Sequence, residues 1–280
     1  MNPQNIVVAL DGSRRAIRAI LPARRLAAAL GLPVGVITVD DGKVRVDPAE
    51  LESIRADNRL HWSEAVRSSS VSEGILECAR ERRAIVVMTT AGRGRSLAVV
   101  GSTASTVAEN ARYPVMLVGP GTEVSERRPI EELVVAVSGT VDGESICQPA
   151  IELADADRFA VHFVTVVEAD SEPTDPRSAG ASRRFGPAGD EHAYIADLTR
   201  RHERPGVRVE GSVIHDPLSP ASGLARMMRR RPQSILVLGS TARTGLARLR
   251  HGSVAGRIIA ESPAPAIVVA SPVEASALSA

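Results

Sequence analysis

Residues 88–103, MTTAGRGRSLAVVGST, and residues 239–254, GSTARTGLARLRHGSV, decide the fold. Laid over each other at an offset of 151, they set Thr90-Ala91 on Thr241-Ala242, Gly94 on Gly245 and Gly101-Ser102 on Gly252-Ser253. Pro114 then meets Pro265. Upstream, an offset of 127 holds. PARRLAAA from Pro22 falls on PAIELADA from Pro149, Thr38-Val39 on Thr165-Val166, and Ile6–Leu10 on Leu133–Val137. Matches at fixed offsets mark an internal repeat, so the chain reads as one domain written twice. The offset grows by 24, which places extra residues in the second copy between its second strand and its closing motif. The segment 169–190, rich in Pro, Gly, Ser and Asp, has the composition of a mobile loop and is where they are expected.

Each copy has an α/β rhythm. The runs Ile6–Leu10, Val34–Val39, Ile85–Met88 and Val115–Val118 are short and rich in Val and Ile. Such runs suit strands buried on both faces of a parallel sheet; His61–Ser68 is the candidate third strand. Between them, Ser13 is expected to cap a helix from Arg14, and Ser72–Arg83 and Ser102–Ala111 read as further helices. Pro22 and Pro149 fall at matching places, which predicts a helix irregularity belonging to the fold. The expected architecture is two tandem doubly wound domains, each a five-stranded mainly parallel sheet with helices on both faces. The boundaries are 1–120 and 131–272, with a linker at 121–130 inside Gly119–Ile130 and a tail at 273–280.

Composition excludes several function classes. Of 280 residues, 34 are basic and 33 acidic, and only six are aromatic. A polyanion-binding surface or a base-stacking platform is not expected, so no nucleic-acid partner is. Lys43 is the one lysine, which leaves Arg as the cation for any phosphate. Cys78 and Cys147 make neither a disulfide scaffold nor a zinc site, and read as buried small hydrophobes in a reduced cytoplasm. The six histidines lack paired spacing, and no metal site is expected. No stretch is long and apolar enough for a membrane span, and the N-terminus lacks signal-peptide character. There is no G-x-S-x-G elbow and no phosphate loop ending in lysine.

Open α/β sheets bind ligands beyond the carboxyl ends of strands, where the winding reverses. Two segments qualify in each copy: Leu10-Asp11-Gly12-Ser13, matched by Val137-Ser138-Gly139-Thr140, and the loop after the fourth strand. That loop ends in Gly-Ser at a helix start, where free backbone amides favour an anion.

This arrangement resembles the universal stress protein family, as two tandem family domains over nearly the whole chain. Nucleotide-binding members of that family show G-x-x-G-x9-G-[ST] after the fourth strand and an Asp ending the first. The second copy reads Gly239-Ser240-Thr241-Ala242, nine residues, Gly252-Ser253; the first reads Met88-Thr89-Thr90-Ala91, nine residues, Gly101-Ser102. On this alignment Met88 replaces the first glycine, Ala replaces the second in both copies, and the aspartate survives as Asp11 but is Ser138 in the second copy. The resemblance implies Rossmann-like, adenine nucleotide alpha hydrolase-like domains. It implies ATP with magnesium as ligand, at Asp11, Gly12, Ser13, Val39, Gly101 and Ser102 in the first copy. In the second it implies Ser138, Val166, Gly239, Ala242, Arg243, Gly252, Ser253 and Val254. Backbone at Val39 and Val166 would meet the adenine. An alanine where φ must be positive costs about 1–2 kcal/mol, and losing a charged acceptor weakens binding about tenfold.

The expectation is therefore a non-enzymatic stress-response regulator with eroded pockets, the second copy holding the better one because Gly239 and Gly252-Ser253 remain. ATP binding with slow hydrolysis at that second site is the alternative, and a pure interaction module is the third reading. The family resemblance also implies that the last strands, Tyr113–Val118 and Ala264–Ala270, pair in an internal pseudo-dimer, with a homodimer of chains beyond it.

Overall fold

The computed structural model describes residues 2–42, 47–90, 100–123, 129–140, 142–154, 158–168, 190–240 and 254–270. The first half runs β1 (Asn5–Leu10), α1 (Ile20–Leu30), β2 (Val34–Asp40), α2 (Pro48–Asp57), β3 (Trp62–Arg67), α3 (Val71–Glu81), β4 (Ala84–Thr89), α4 (Ser102–Asn110) and β5 (Val115–Val118). The second half runs β6 (Glu132–Ala136), α5 (Cys147–Ala154), β7 (Ala160–Glu168), α6 (Glu191–His202), β8 (Val209–Asp216), α7 (Pro220–Arg229), β9 (Ser234–Ser240), α8 (Val254–Glu261) and β10 (Ala266–Ala270).

The strands form one ten-stranded sheet in the order β3-β2-β1-β4-β5-β10-β9-β6-β7-β8. Within each half all pairings are parallel; the halves join where β5 and β10 pair antiparallel, Met116 opposite Ile267. The last strands therefore meet as the resemblance implied. Two apolar layers sandwich the sheet, and each runs across both halves. One holds Leu26 of α1 and Ile151 of α5, the other Ile75 of α3 and Leu224 of α7. Burial on both faces explains why the inner strands are Val/Ile-rich, whereas the edge strands β3 and β8 are partly exposed and mixed in composition. Cys78 and Cys147 are buried in these layers, and burial pushes the Cys147 thiol up to about 12. Met228 is buried and Met227 packs beside the same core.

The prolines sit alike. Pro22 is the third residue of α1, which follows a 3-10 turn at Ala16–Ala19; Pro149 is the third residue of α5, after a 3-10 turn at Asp142–Ile146. In the first turn a missing N–H costs no helical hydrogen bond. One expectation needs correcting here. The first helical turn is Ala16–Ala19 and does not start at Arg14, while Ser13 does cap it, its Oγ accepting from Ala16 N.

The sheet register corrects the repeat alignment. Gly35 pairs with Trp62 and His162 with Glu210, so the offset reaches 148 by the third strand. Helix caps Ser70 and Ser219 stand at 149. On the fourth strand Asn5 pairs with Ala84 and Glu132 with Ser234, an offset of 150. Most of the insertion thus lies between the second and third strands, in a segment whose residues 169–189 are outside those described. Met88 therefore matches Leu238, and both point into the same core layer. The residue standing at the Gly239 position is Thr89.

The separator between halves is bound at its start. Glu123 N donates to Pro263 O at 2.7 Å, and Arg18 Nη2 donates to Thr122 O at 2.8 Å. Ile130 is buried. Residues 124–128 and the tail lie outside the described residues.

Candidate functional site

The winding reverses between β1 and β4, and a cavity of about 240 Å³ opens there at the carboxyl end of the first half. Its walls are Leu10 of β1 and the following Asp11, Val71 and Ile75 from α3, Met88 and Thr89 of β4 and the following Thr90, and Gly101–Ala104 at the start of α4. Gly12 has φ 74°, a left-handed conformation that a glycine adopts without strain. That turn lets Asp11 Oδ1 accept from Ser13 N at 2.9 Å, and Ser13 Oγ accept from Ala16 N at 3.2 Å. Asp11 thus orders the turn and also stands in the cavity wall.

At α4, Gly101 caps the helix without a side-chain hydrogen bond, and its own N–H is spent on Thr90 O at 2.7 Å. Gly101 is extended (φ −64°), so its value is close approach: a Cβ would lie 3.0 Å from Thr90 O. The next three residues, Ser102, Thr103 and Ala104, line the cavity at the helix start. First-turn amides have no intrahelical acceptor, so this end of α4 suits an anion. Val39 is not in this wall. It is buried beneath α3, where a Cβ on Gly74 would come within 2.9 Å of its Cγ1.

The second half repeats the frame with altered chemistry. Gly139 has φ 70°, and Thr140 Oγ1 accepts from Gly143 N at 3.0 Å, as Ser13 does for Ala16. Ser138, replacing Asp11, shares a hydrogen bond with Thr140 Oγ1 at 2.9 Å. The turn survives without a carboxylate. Gly143 is tied to that replacement, since a Cβ there would lie 2.2 Å from Ser138 Oγ. Gly239 is explained by packing: Ile146 Cγ2 would lie 2.9 Å from its Cβ. Ala19 stands at the Ile146 position in the first half, where β4 carries Thr89. Val166 packs under Gly223 as Val39 packs under Gly74. Val254 opens α8 with an exposed side chain. Ala242, Arg243, Gly252 and Ser253, with the arginine-bearing segments around them and residues 91–99, are outside the described residues.

The structure brings Asp11, Gly101 and Ser102 to one cavity, with Gly12 and Ser13 in the turn beside it. Sequence reading missed Val71, Ile75, Thr89 and Thr90. The sequence predicts this helix from Ser72, but only the sheet order shows that it closes the cavity. Arg14 and Arg15 follow Ser13 and are exposed. Among the described residues no group of three His, Cys, Asp or Glu could hold a metal ion, and no helix is long and apolar enough to cross a membrane.

The universal stress protein family model matches residues 2–119 and, again, 129–270. A universal stress protein of Methanocaldococcus jannaschii is 25% identical over 145 residues, 51% of this chain and 83% of that protein. Among solved structures, a universal stress protein from Archaeoglobus fulgidus is similar with a TM-score of 0.61 and 14% identity, covering 95% of this chain and 96% of that one. A functionally unknown protein from Pseudomonas aeruginosa is similar at 0.57 and 15% identity, covering 96% and 93%. At these identities the structural likeness establishes the fold, a Rossmann-like α/β arrangement.

Proposed function

The chain belongs to the universal stress protein family, and from that premise we propose that it is a non-catalytic stress-response regulator whose nucleotide-type pocket persists in the first half and has eroded in the second. The observation that carries this is the cavity between β1 and β4, walled by a carboxylate and by the open start of α4. The corrected register adds support. With Thr89 at the first motif position, the sequence puts Gly92 at the second, with eight residues between it and Gly101-Ser102 where the motif has nine. The first copy then keeps Asp11 and three of the motif's four positions, at a spacing one residue short, against three positions and no aspartate in the second, and on this reading the first copy is the better site. Charge points the same way: Arg14 and Arg15 follow the first turn, whereas the matching residues are Val141 and Asp142. Cations at that rim favour a phosphate.

The described wall encloses about 240 Å³, under the roughly 300–1,000 Å³ of sites that bury a drug-sized ligand. It fits the phosphate and sugar end of an adenine nucleotide. Magnesium would arrive with the nucleotide, Asp11 being the carboxylate at hand. Among the described lining residues Asp11 is the one titratable group, which leaves no acid–base pair for phosphoryl transfer.

The test is equilibrium dialysis of the full chain with magnesium and ATP. Weak binding, Kd on the order of 10⁻⁴ M, is expected for the wild type and for Ser253→Asp. Ser102→Asp should abolish it, because an acidic residue suits a helix start yet repels phosphate. Loss with Ser253→Asp alone, or no binding at millimolar nucleotide, overturns the reading. Sustained phosphate release above the Ser102→Asp background would replace it with an enzymatic one.

A further inference from the structure

At the amino end of the sheet the second half buries a histidine among charges. His162 of β7 is 4% exposed. Its Nε2 shares a hydrogen bond with Ser212 Oγ of β8 at 2.7 Å. Its Nδ1 is buried and reaches no hydrogen-bond partner among the described residues. The nearest carboxylate oxygens are Glu132 Oε1 of β6 at 3.9 Å and Glu210 Oε2 of β8 at 3.8 Å. Glu132 is already committed. Arg231, just past α7, donates to its Oε1 at 2.5 Å, and Ser234 of β9 donates to its Oε2 at 2.6 Å. Glu210 is more than half exposed and also faces Arg208 at 3.6 Å.

We propose that His162 is an acid-sensitive latch: neutral, it closes the base of the second half, and protonation loosens β6, β7 and β8 there while the first half stays closed. The reasoning is electrostatic. A proton on this ring adds a buried cation beside the partly exposed guanidinium of Arg231. The one buried carboxylate is already satisfied, and the other is shared with water and Arg208. Desolvation then has no full compensation. Burial, followed by the Arg231 charge, holds the imidazole below its ordinary range against the pull of Glu132 and Glu210. The stability tied to the neutral ring is thus present above the ordinary histidine value and lost as pH falls below it. At the positions of His162 and Glu210 the first half carries Gly35 and Trp62, and the histidine at that base, His61, is exposed, with Nδ1 bonded to the Val34 backbone.

Hydrogen exchange of the full chain at pH 7.5 and pH 5, corrected for intrinsic rates, tests this. Amides of β7 and β8 should lose at least tenfold protection on acidification relative to β2 and β3. His162→Gln should remove the pH dependence. Glu210→Gln, a change at an exposed side chain, should deepen the loss of protection at pH 5, because a carboxylate that partly compensates the protonated ring is gone. A constant ratio between halves in the wild type, or equal loss in wild type and His162→Gln, overturns the proposal. Should His162→Gln not fold, a loss of protection at pH 5 that is no deeper in Glu210→Gln than in the wild type does so.

Discussion

Strand for strand the halves share one winding, and they differ most at the base of the sheet. In the first half Gly35 lies under Trp62: a Cβ on it would sit 1.9 Å from the indole Cε2. Arg82, past α3, stacks on that ring at 3.9 Å and pairs with Glu64 at 2.5 Å, while Asn5 Nδ2 donates to Arg82 O at 2.8 Å. In the second half each position has another side chain: His162 for Gly35, Glu210 for Trp62, Glu132 for Asn5, Ser212 for Glu64. The arginine alone is kept, as Arg231. One base is an aromatic lid with a cation on its face; the other is a desolvated ionic cluster. A duplicated fold tolerates both because the backbone register is the same and only the volume of the slot must be filled.

The largest expected effect is on the aromatic base. Gly35→Val should destabilise the chain by about 3 kcal/mol, since the indole occupies the space of the new side chain. Trp62 is the only tryptophan, so urea unfolding followed by its fluorescence reads this half directly. A loss under about 1 kcal/mol would mean that the ring swings aside freely, and the contrast between bases would collapse.

Next comes the carboxyl end. Gly239→Ala should cost about 1–2 kcal/mol by collision with Ile146. In an Ile146→Ala background the added cost should vanish, which a double-mutant cycle measures. Thr89→Ala at the matching place should stay within about 0.5 kcal/mol. If Gly239→Ala were harmless in the wild type, Gly239 would not be a packing glycine, and the case for erosion of the second pocket would weaken.

A third contrast lies at the end of the third strand. Asp216 is buried where the first half has Ser68; Oδ1 accepts from Leu218 N at 2.9 Å and Ser219 N at 3.2 Å, and Oδ2 meets Arg226 at 2.7 Å. These donors, the Leu218 amide foremost, hold its carboxyl below the ordinary range. Its contribution is present above the ordinary aspartate value and is lost as pH falls through the lowered one. Asp216→Ser, which copies the first half, should flatten the stability profile below about pH 4. An unchanged acid limb would show that this carboxylate does not set it.

These contrasts also show what the sequence can carry. Val/Ile runs and the paired Pro22 and Pro149 revealed the strands, the repeat and the irregular helix start, because each is a local pattern. Asp11, Gly101 and Ser102 were legible as a site because a strand end and a helix start are local too. The match of Met88 to Gly239 misled because a one-residue change hides inside a loop, and only pairing with β1 and β6 counts it. Ile146 against Gly239, and Trp62 over Gly35, join residues far apart in the chain. No period announces such contacts.

The smallest expected effect concerns the strap between halves. Arg18 leaves the 3-10 turn beside the first cavity and donates to Thr122 O at 2.8 Å, and the following Glu123 N binds Pro263 O past the end of α8. The matching residue in the second half is Ser145, too short for this reach. Arg18 is exposed, so Arg18→Gln should lower global stability by only about 0.5–1 kcal/mol. Its local effect should be larger: faster amide exchange across 119–123, with α8 and the β5–β10 seam unchanged. Exchange that stays slow in the variant would show that the glycines hold the strap, since a Cβ at Gly119 would lie 2.1 Å from Ile259 O. Close backbone packing, and no asymmetric cation, would then fix the crossing from one half to the other.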